Sequence, residues 1–213
     1  MGLSHSPRIV TDGLVFCVDA ASRRSYPGAG TTWTDLTANK NNGTLINSPS
    51  FNSANGGSIV FDGTDDKVLF SEINLQTTFT ACIFVKFDPG SSYDAVVIGH
   101  SGGQYILFVY NSTLIYTKDG PYDSTSSASL SSDTWHSLTI TRNGTSVNWF
   151  QDGVNIGNGT IGSSDMGFTA LGSYSDNSNY VLNGNIASMQ LYNRVLTDEE
   201  IKQNYLATKG RFQ

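Results

Sequence analysis

Three histidines, His5, His100 and His136, are the candidate general bases of the chain. A serine nucleophile needs such a base within hydrogen-bond reach, commonly with the serine on a Gly-x-Ser-x-Gly elbow. The pattern occurs once, as Gly99-His100-Ser101-Gly102-Gly103, but between two expected strands rather than on the strand-to-helix turn the elbow requires. His5 lies in an N-terminal arm, His100 precedes Ser101-Gly102-Gly103 in a turn, and His136 follows Trp135 where a strand begins and packing accounts for it. No triad is assigned. The densest run of hard oxygen donors is Asp62-Gly63-Thr64-Asp65-Asp66, which lacks the spacing of an EF-hand loop and reads as an acidic hairpin turn. Cys17 and Cys82 sit inside apolar runs and read as buried, reduced thiols, with a disulfide between neighbouring strands as the minority reading. The segment Ser173-Tyr174-Ser175-Asp176-Asn177-Ser178-Asn179-Tyr180 combines flat phenol rings with amide and carboxylate groups. Gly120-Pro121-Tyr122-Asp123 has a similar make-up.

The elements that position these groups are strands. Asn-Gly or Asp-Gly pairs recur along the whole chain, and such pairs close two-residue hairpins because they tolerate positive φ. Between them lie short β-forming runs. The clearest is Phe79–Phe87, in which Phe79, Ala81, Ile83, Val85 and Phe87 alternate onto one face. Further strands are expected at 14–19, 58–61, 67–70, 95–99, 105–110, 113–118, 135–142, 146–151, 154–156, 169–172 and 186–192. A turn through Arg142-Asn143-Gly144-Thr145 joins two of them. In the last strand Ala187, Met189 and Leu191 are expected to face the core, with Ile186, Ser188, Gln190 and Tyr192 on the other side. One helix is expected near the C-terminus. Thr197-Asp198-Glu199-Glu200 is a capping box, so these acids serve the helix start rather than catalysis. Leu196, Ile201 and Tyr205 make its apolar stripe, and Gly210 follows its end.

Composition agrees with this reading. Ser, Thr, Asn and Gly make up 88 of 213 residues and charged residues only 14%, a mixture suited to turns and strand faces. The net charge of −6 supplies no basic stripe for phosphates, so nucleic acid is not expected as a partner. No apolar run reaches the ~18 residues that cross a bilayer, so no membrane insertion is expected, and the N-terminus carries no signal-peptide pattern. Sequons at Asn42, Asn111, Asn143 and Asn158 are read mainly as turn chemistry.

The order of several segments resembles the laminin-G-like (LamG) jelly roll of the concanavalin A-like lectin/glucanase superfamily. They are Gly13–Asp19, Trp33-Thr34-Asp35-Leu36 with Asn41–Leu45, Gly57–Gly63 with Asp66-Lys67-Val68, Phe79–Phe87, Trp135–Leu138, Phe150–Gly153, and Leu182–Ile186 followed by Leu191–Ile201. The resemblance implies an all-β antiparallel sandwich with one short C-terminal helix, spanning residues 12–213 behind an N-terminal arm, residues 1–11. It also implies that calcium is the most plausible cofactor, held by loop oxygens; Asp19 and Asp35 could join the acidic turn, and no metal ligand is assigned. Glucanases of the superfamily alternate carboxylates along one strand, and no strand here does so: Glu occurs only as Glu72, Glu199 and Glu200. Sugar binding in such folds uses rim loops, which makes Tyr174, Asp176, Asn177 and Tyr180 the candidate ligand-binding residues.

The stretch from Ile9 to Asp35 is similar to LamG-like domains of tailed-phage virion proteins. The resulting expectation is a non-enzymatic virion structural protein, assembled in the host cytoplasm as capsid decoration or tail-associated protein. Its partners would be other virion subunits through the arm, cell-surface glycans through the loop rim, and a further copy of itself in a homo-oligomer. The alternatives are a stand-alone carbohydrate-binding module and, last, a glycoside hydrolase.

Overall fold

The computed structural model describes residues 7–88, 94–119, 121–176 and 179–212. Two eight-stranded antiparallel sheets lie face to face. Sheet A contains β1 (Leu14–Asp19), β4 (Ser50–Asn52), β5 (Ser58–Asp62), β7 (Thr78–Phe87), β12 (Trp135–Asn143), β13 (Ser146–Gln151), β14 (Val154–Thr160) and β16 (Asn183–Tyr192). Its order is β14-β13-β12-β7-β16-β5-β4, with β1 also paired to β16. Sheet B contains β2 (Thr32–Trp33), β3 (Gly43–Ile46), β6 (Lys67–Gln76), β8 (Ala95–Gly99), β9 (Tyr105–Tyr110), β10 (Leu114–Asp119), β11 (Tyr122–Ser127) and β15 (Met166–Leu171). It runs β11-β10-β9-β8-β15-β6-β3-β2. One helix, α1 (Asp198–Lys209), follows β16.

The inner faces follow from the alternation of the strands. Phe79, Ala81, Ile83, Val85 and Phe87 of β7 all enter the main core, with Leu138, Ile140, Val147 and Trp149 of the neighbouring hairpin. That hairpin turns one residue later than expected: Asn143 pairs with Ser146, and Gly144 takes φ +63 at the first central position. Sheet B supplies Phe70 and Phe168, which meet Phe16 at ring-centroid distances of 5.2 and 5.4 Å. The Trp149 indole N–H donates to the Thr117 hydroxyl of the opposite sheet, so a buried donor is satisfied across the core.

Two inward positions differ from the sequence-based expectation. β16 carries an irregularity between Ile186 and Ser188, where these residues pair with the consecutive Val85 and Phe84. The extra residue changes parity, so Ile186 joins the main core with Met189 and Leu191, contrary to the outward side expected for it. Arg142, expected in the turn, is the last inward residue of β12 and is fully buried. It donates to Asp119 of β10 at 3.3 Å and to the carbonyls of Gly162 and Ser164.

The even face of β7 is also covered. Cys82, Phe150 and Tyr192 form a second cluster with Leu196 and Ile201 at the start of α1. Thr197 caps α1 by accepting from the Glu200 amide while the Glu200 carboxylate accepts from the Thr197 amide, the reciprocal pair expected. Tyr205 stacks on Phe84, their planes 8° apart. Asn204 is buried in the same layer: its carbonyl accepts from Val10 N–H and its amide donates to the Tyr192 hydroxyl, which in turn donates to the Val10 carbonyl. Gln203 donates to the Arg8 carbonyl. Residues 8–11 thus pack with the domain, upstream of the boundary drawn at residue 12; residues 1–6, with His5, lie outside the described residues.

Both cysteines are free and buried. Cys17 and Cys82 pair with the same residue, Gln190, from opposite sides of β16. They are therefore two strand spacings apart, about 9.5 Å, beyond the ~7 Å a disulfide spans. Burial pushes Cys17 up to about 12 and Cys82 up to about 11, which keeps both as unreactive thiols.

Candidate functional site: an aromatic cleft on sheet B

The outer face of sheet B carries a cluster separate from the main core. Val96 of β8, Tyr105 and Phe108 of β9 and Tyr174 of the β15–β16 loop are buried together, with Tyr116 of β10 packed against them. An extra residue on β9 builds this cluster. Tyr116 and Lys118 of β10 pair with Phe108 and Tyr105, so the single residue between them on β10 faces two, Ile106 and Leu107, on β9. Strict alternation would place Tyr105 and Phe108 on opposite faces; the irregularity turns both outward, while Ile106, Leu107 and Val109 fill the core.

The rings form a chain. Tyr105 and Phe108 are 5.2 Å apart, Tyr180 stands edge-on to Phe108 at 5.3 Å, and Tyr116 meets Phe108 at 6.1 Å and Tyr110 at 6.4 Å. All of them but Tyr116 border, with Tyr174, a cleft of about 310 Å³ whose charged members are Asp94 and Lys118. Burial pushes the Tyr105 phenol far above its usual range, with Tyr174 and Asp123 adding to the effect. Burial, then Tyr180 and Asp176, likewise raises Tyr174. Both hydroxyls stay protonated at ordinary pH, so each offers one donor and an acceptor beside an apolar ring face. Larger depressions lie on the outer side of α1 beside Pro7 (about 530 Å³), between Tyr26 and Phe51 (about 450 Å³) and beside Val15 and Ile73 (about 400 Å³). None gathers a comparable set of rings.

The expected ligand loop is divided by the fold. Tyr180 is 53% exposed at the cleft mouth, its backbone carbonyl held by the Val96 amide at 2.8 Å. Tyr174 is only 8% exposed and forms the wall rather than a free rim residue. Asp176 accepts from the Gly102 amide at 2.9 Å, tying this loop to the β8–β9 turn. Asn177 lies outside the described residues, as does Gly120 of the second candidate segment, while Tyr122 and Asp123 begin the edge strand β11. Sequence reading missed Tyr105, Phe108, Tyr110 and Tyr116. They sat in runs read only as strands, and the irregularity that gathers them has no signature in residue type.

The other groups with chemistry are occupied or apart. His136 accepts the Ser131 amide on Nε2 at 3.1 Å and faces Asp152 with Nδ1 at 3.4 Å, so its basic nitrogen holds a backbone N–H and the ring is structural. Although burial opposes ionisation of Asp152, bonds from His136 and the Ser137 amide hold its carboxyl below the usual range. His100 sets Nε2 3.4 Å from Glu72 on the outer face of sheet B, and its Nδ1 faces the carbonyl and hydroxyl of Ser101. The Glu200 carboxylate is held by both terminal nitrogens of Arg194 at 2.8 and 2.7 Å.

Asp62, Asp65 and Asp66 bring one carboxylate oxygen each within 4.8 Å of the others. Oxygen donors suit calcium, but three fall short of the ~6–8 it takes. The two carboxylates expected to join them do not. Asp35 is fully buried and accepts from the amides of Cys17, Thr37 and Asn41 and the Thr37 hydroxyl, which folds its own loop. Asp19 pairs with Arg211 at 2.9 Å.

A two-sheet antiparallel jelly roll with one C-terminal helix and an aromatic cleft on an outer face has lectin-like architecture. Residues 62–202 match the laminin-G family Laminin_G_3 of the Concanavalin A-like lectin/glucanases superfamily, and the chain belongs to that family. Among solved structures, the Trypanosoma rangeli sialidase in complex with sialic acid is similar with TM-score 0.70 at 15% identity, over 98% of this chain and 36% of that one. The binding domain of botulinum neurotoxin serotype D gives TM-score 0.71 at 12% identity, over 91% of this chain and 51% of that one. Domain 4 of AbnA, a GH43 extracellular arabinanase from Geobacillus stearothermophilus, in complex with arabinotriose, gives 0.69 at 14% identity, over 95% of this chain and 100% of that one. The chain thus spans about a third of the sialidase and about half of the neurotoxin domain. At these identities the likeness is one of fold. No curated protein sequence matches the chain.

Proposed function

We propose that this chain is a non-catalytic saccharide-binding module and that the cleft on sheet B is its binding face. The observation that carries the reading is the gathering of Tyr105, Phe108, Tyr110, Tyr174 and Tyr180 around one cleft with Asp94 and Lys118. Sugar rings present apolar C–H faces and hydroxyl edges, which tyrosines match with ring faces and O–H groups at little conformational cost. That AbnA domain 4 was solved with arabinotriose, and is covered along its whole length, supports the reading. The commitment of His136 to a backbone amide and of Glu200 to Arg194 supports the non-catalytic part. A glycan array probed with the native chain and with Tyr180→Ala tests it. Binding that falls at least tenfold in the variant is expected; a native chain that binds no printed glycan overturns the reading. Release of shorter products from a bound glycan would restore the glycosidase alternative.

The setting we infer is a tailed-phage particle, with the module displayed outward and the leading part of the arm, upstream of the packed residues 8–11, facing other virion subunits. This rests on the resemblance of the Ile9–Asp35 stretch. Co-assembly with capsid and tail proteins tests it: incorporation of the native chain and its loss on removal of residues 1–7, which leaves the packed Val10 in place, is expected, and absence of the native chain from purified particles refutes it.

A further inference from the structure

Resting on the saccharide-binding reading, we propose that the tyrosine cleft is the first of two subsites on the outer face of sheet B. Glu72, His100 and Thr169 build the second, which takes a neighbouring sugar of an extended oligosaccharide.

Phe168 points into the core, so Gly167 and Thr169 on β15 face outward, and Glu72 and His100 approach each other over Gly167. A Cβ at Gly167 would stand 2.7 Å from both Glu72 Oε1 and His100 Nε2, so glycine here lets both side chains lie close over the strand. Leu69 and Ile73 of β6 pair with Ala170 and Phe168, leaving extra residues on β6, and Glu72 is one of them. Such irregularities re-aim side chains.

Two buried polar atoms there, His100 Nε2 and Thr169 Oγ1, have no hydrogen-bond partner among the described residues. Glu72 Oε1 lies 3.4 Å from Nε2 without hydrogen-bond geometry. Buried polar atoms are normally paired, so two orphans on one outer face call for a ligand that both donates and accepts. A sugar hydroxyl does both.

The second subsite continues the first. Gly99 pairs with Tyr105 on one side and with Ala170 on the other, which puts the next residue, His100, between the tyrosine row and β15. The Ser175 amide donates to the His100 carbonyl, tying the Tyr174 loop to the same point. From β9 to β6 there are three strand spacings, about 14 Å, longer than a single pyranose ring.

The test starts from whichever glycan series the array selects. The full chain is titrated calorimetrically with the mono-, di- and trisaccharide of that series. The native chain should bind the trisaccharide at least tenfold more tightly than the monosaccharide. In Thr169→Val, a near-isosteric change, and in His100→Ala, that ratio should fall below threefold, whereas Tyr180→Ala should weaken every length. Thermal melts confirm that each variant is folded. If folded Thr169→Val and His100→Ala both keep the native ratio, or the native chain shows no gain with length, the second subsite is wrong and the tyrosine cleft stands. If the native chain binds no saccharide, both readings fail.

Discussion

Arg142 and Asp119 meet at 3.3 Å with neither side chain exposed, so one ion pair joins β12 of sheet A to β10 of sheet B inside the sandwich. The pair is under-satisfied: Arg142 Nη1 and Asp119 Oδ1 have no partner among the described residues. Removing one member leaves the other charge stranded away from water, which costs about 3–5 kcal/mol, whereas replacing both with apolar residues is often close to neutral. Arg142→Leu should therefore lower the urea-unfolding free energy by an amount of that order, and Arg142→Leu with Asp119→Leu should recover most of it. A double variant as unstable as the single one would show that the contacts of Arg142 with Gly162 and Ser164, rather than the ion pair, hold the two sheets.

Tyr174 and Tyr180 bracket the cleft but differ in burial, 8% against 53% exposed. Truncating a buried aromatic costs about 3–5 kcal/mol, while exposed positions usually stay within about 0.5 kcal/mol. Tyr174→Ala should lower both melting temperature and saccharide affinity. Tyr180→Ala should lower affinity about tenfold at nearly unchanged stability. Equal melting shifts in the two variants would contradict the described division between wall and mouth.

The Glu200 carboxyl is held down to about 2, first by its bonds to Arg194. Its unfolded counterpart titrates near 4.5. The folded state therefore releases this proton more readily, and the contribution is complete above 4.5 and fades as pH falls toward 2. Glu200→Gln keeps an acceptor at the helix start but removes the charge, so thermal melts should show a loss of about 1 kcal/mol or less at pH 7 that vanishes near pH 2. A loss that persists unchanged at low pH would assign the effect to helix capping alone.

Asp66 behaves in the opposite sense. Burial is the main cause that pushes its carboxyl up to about 6, against the usual 3.8, with Asp62 and Asp65 adding to it and a bond from the Asp62 amide opposing. The folded state holds this proton more tightly than the unfolded chain, so stability falls as pH rises from about 3.8 through about 6. Asp66→Asn should raise the melting temperature at pH 7–8 and leave it unchanged near pH 3.5. If added calcium raises the native melting temperature but not that of the variant, the three acids hold the ion; a native melting temperature indifferent to calcium argues that they do not.

Much of the scaffold was legible because backbone chemistry is local. The alternation of Phe79–Phe87 marked the inner face of β7, Asn143-Gly144 marked the turn between β12 and β13 to within a residue, and the capping box from Thr197 to Glu200 marked the start of α1. Strands without an apolar face left no such trace. The edge strand β11, Tyr-Asp-Ser-Thr-Ser-Ser, was not foreseen because its residues read as a polar loop.

The residue sequence by itself determined which segments extend, where they turn and which helix ends are capped, because propensity, alternation and turn chemistry act over a few neighbours. Tertiary structure decided what those segments do together. The irregularities in β9 and β6 exist only as pairing registers with β10 and β15, yet they turn Tyr105 and Phe108 to one side and bring Glu72 to His100. Tyr174 became a wall rather than a rim because Val96 and Tyr105 from other strands pack against it. A binding face assembled from residues distant in the chain depends on cross-strand register, and register is fixed by the whole packed sheet rather than by any one segment.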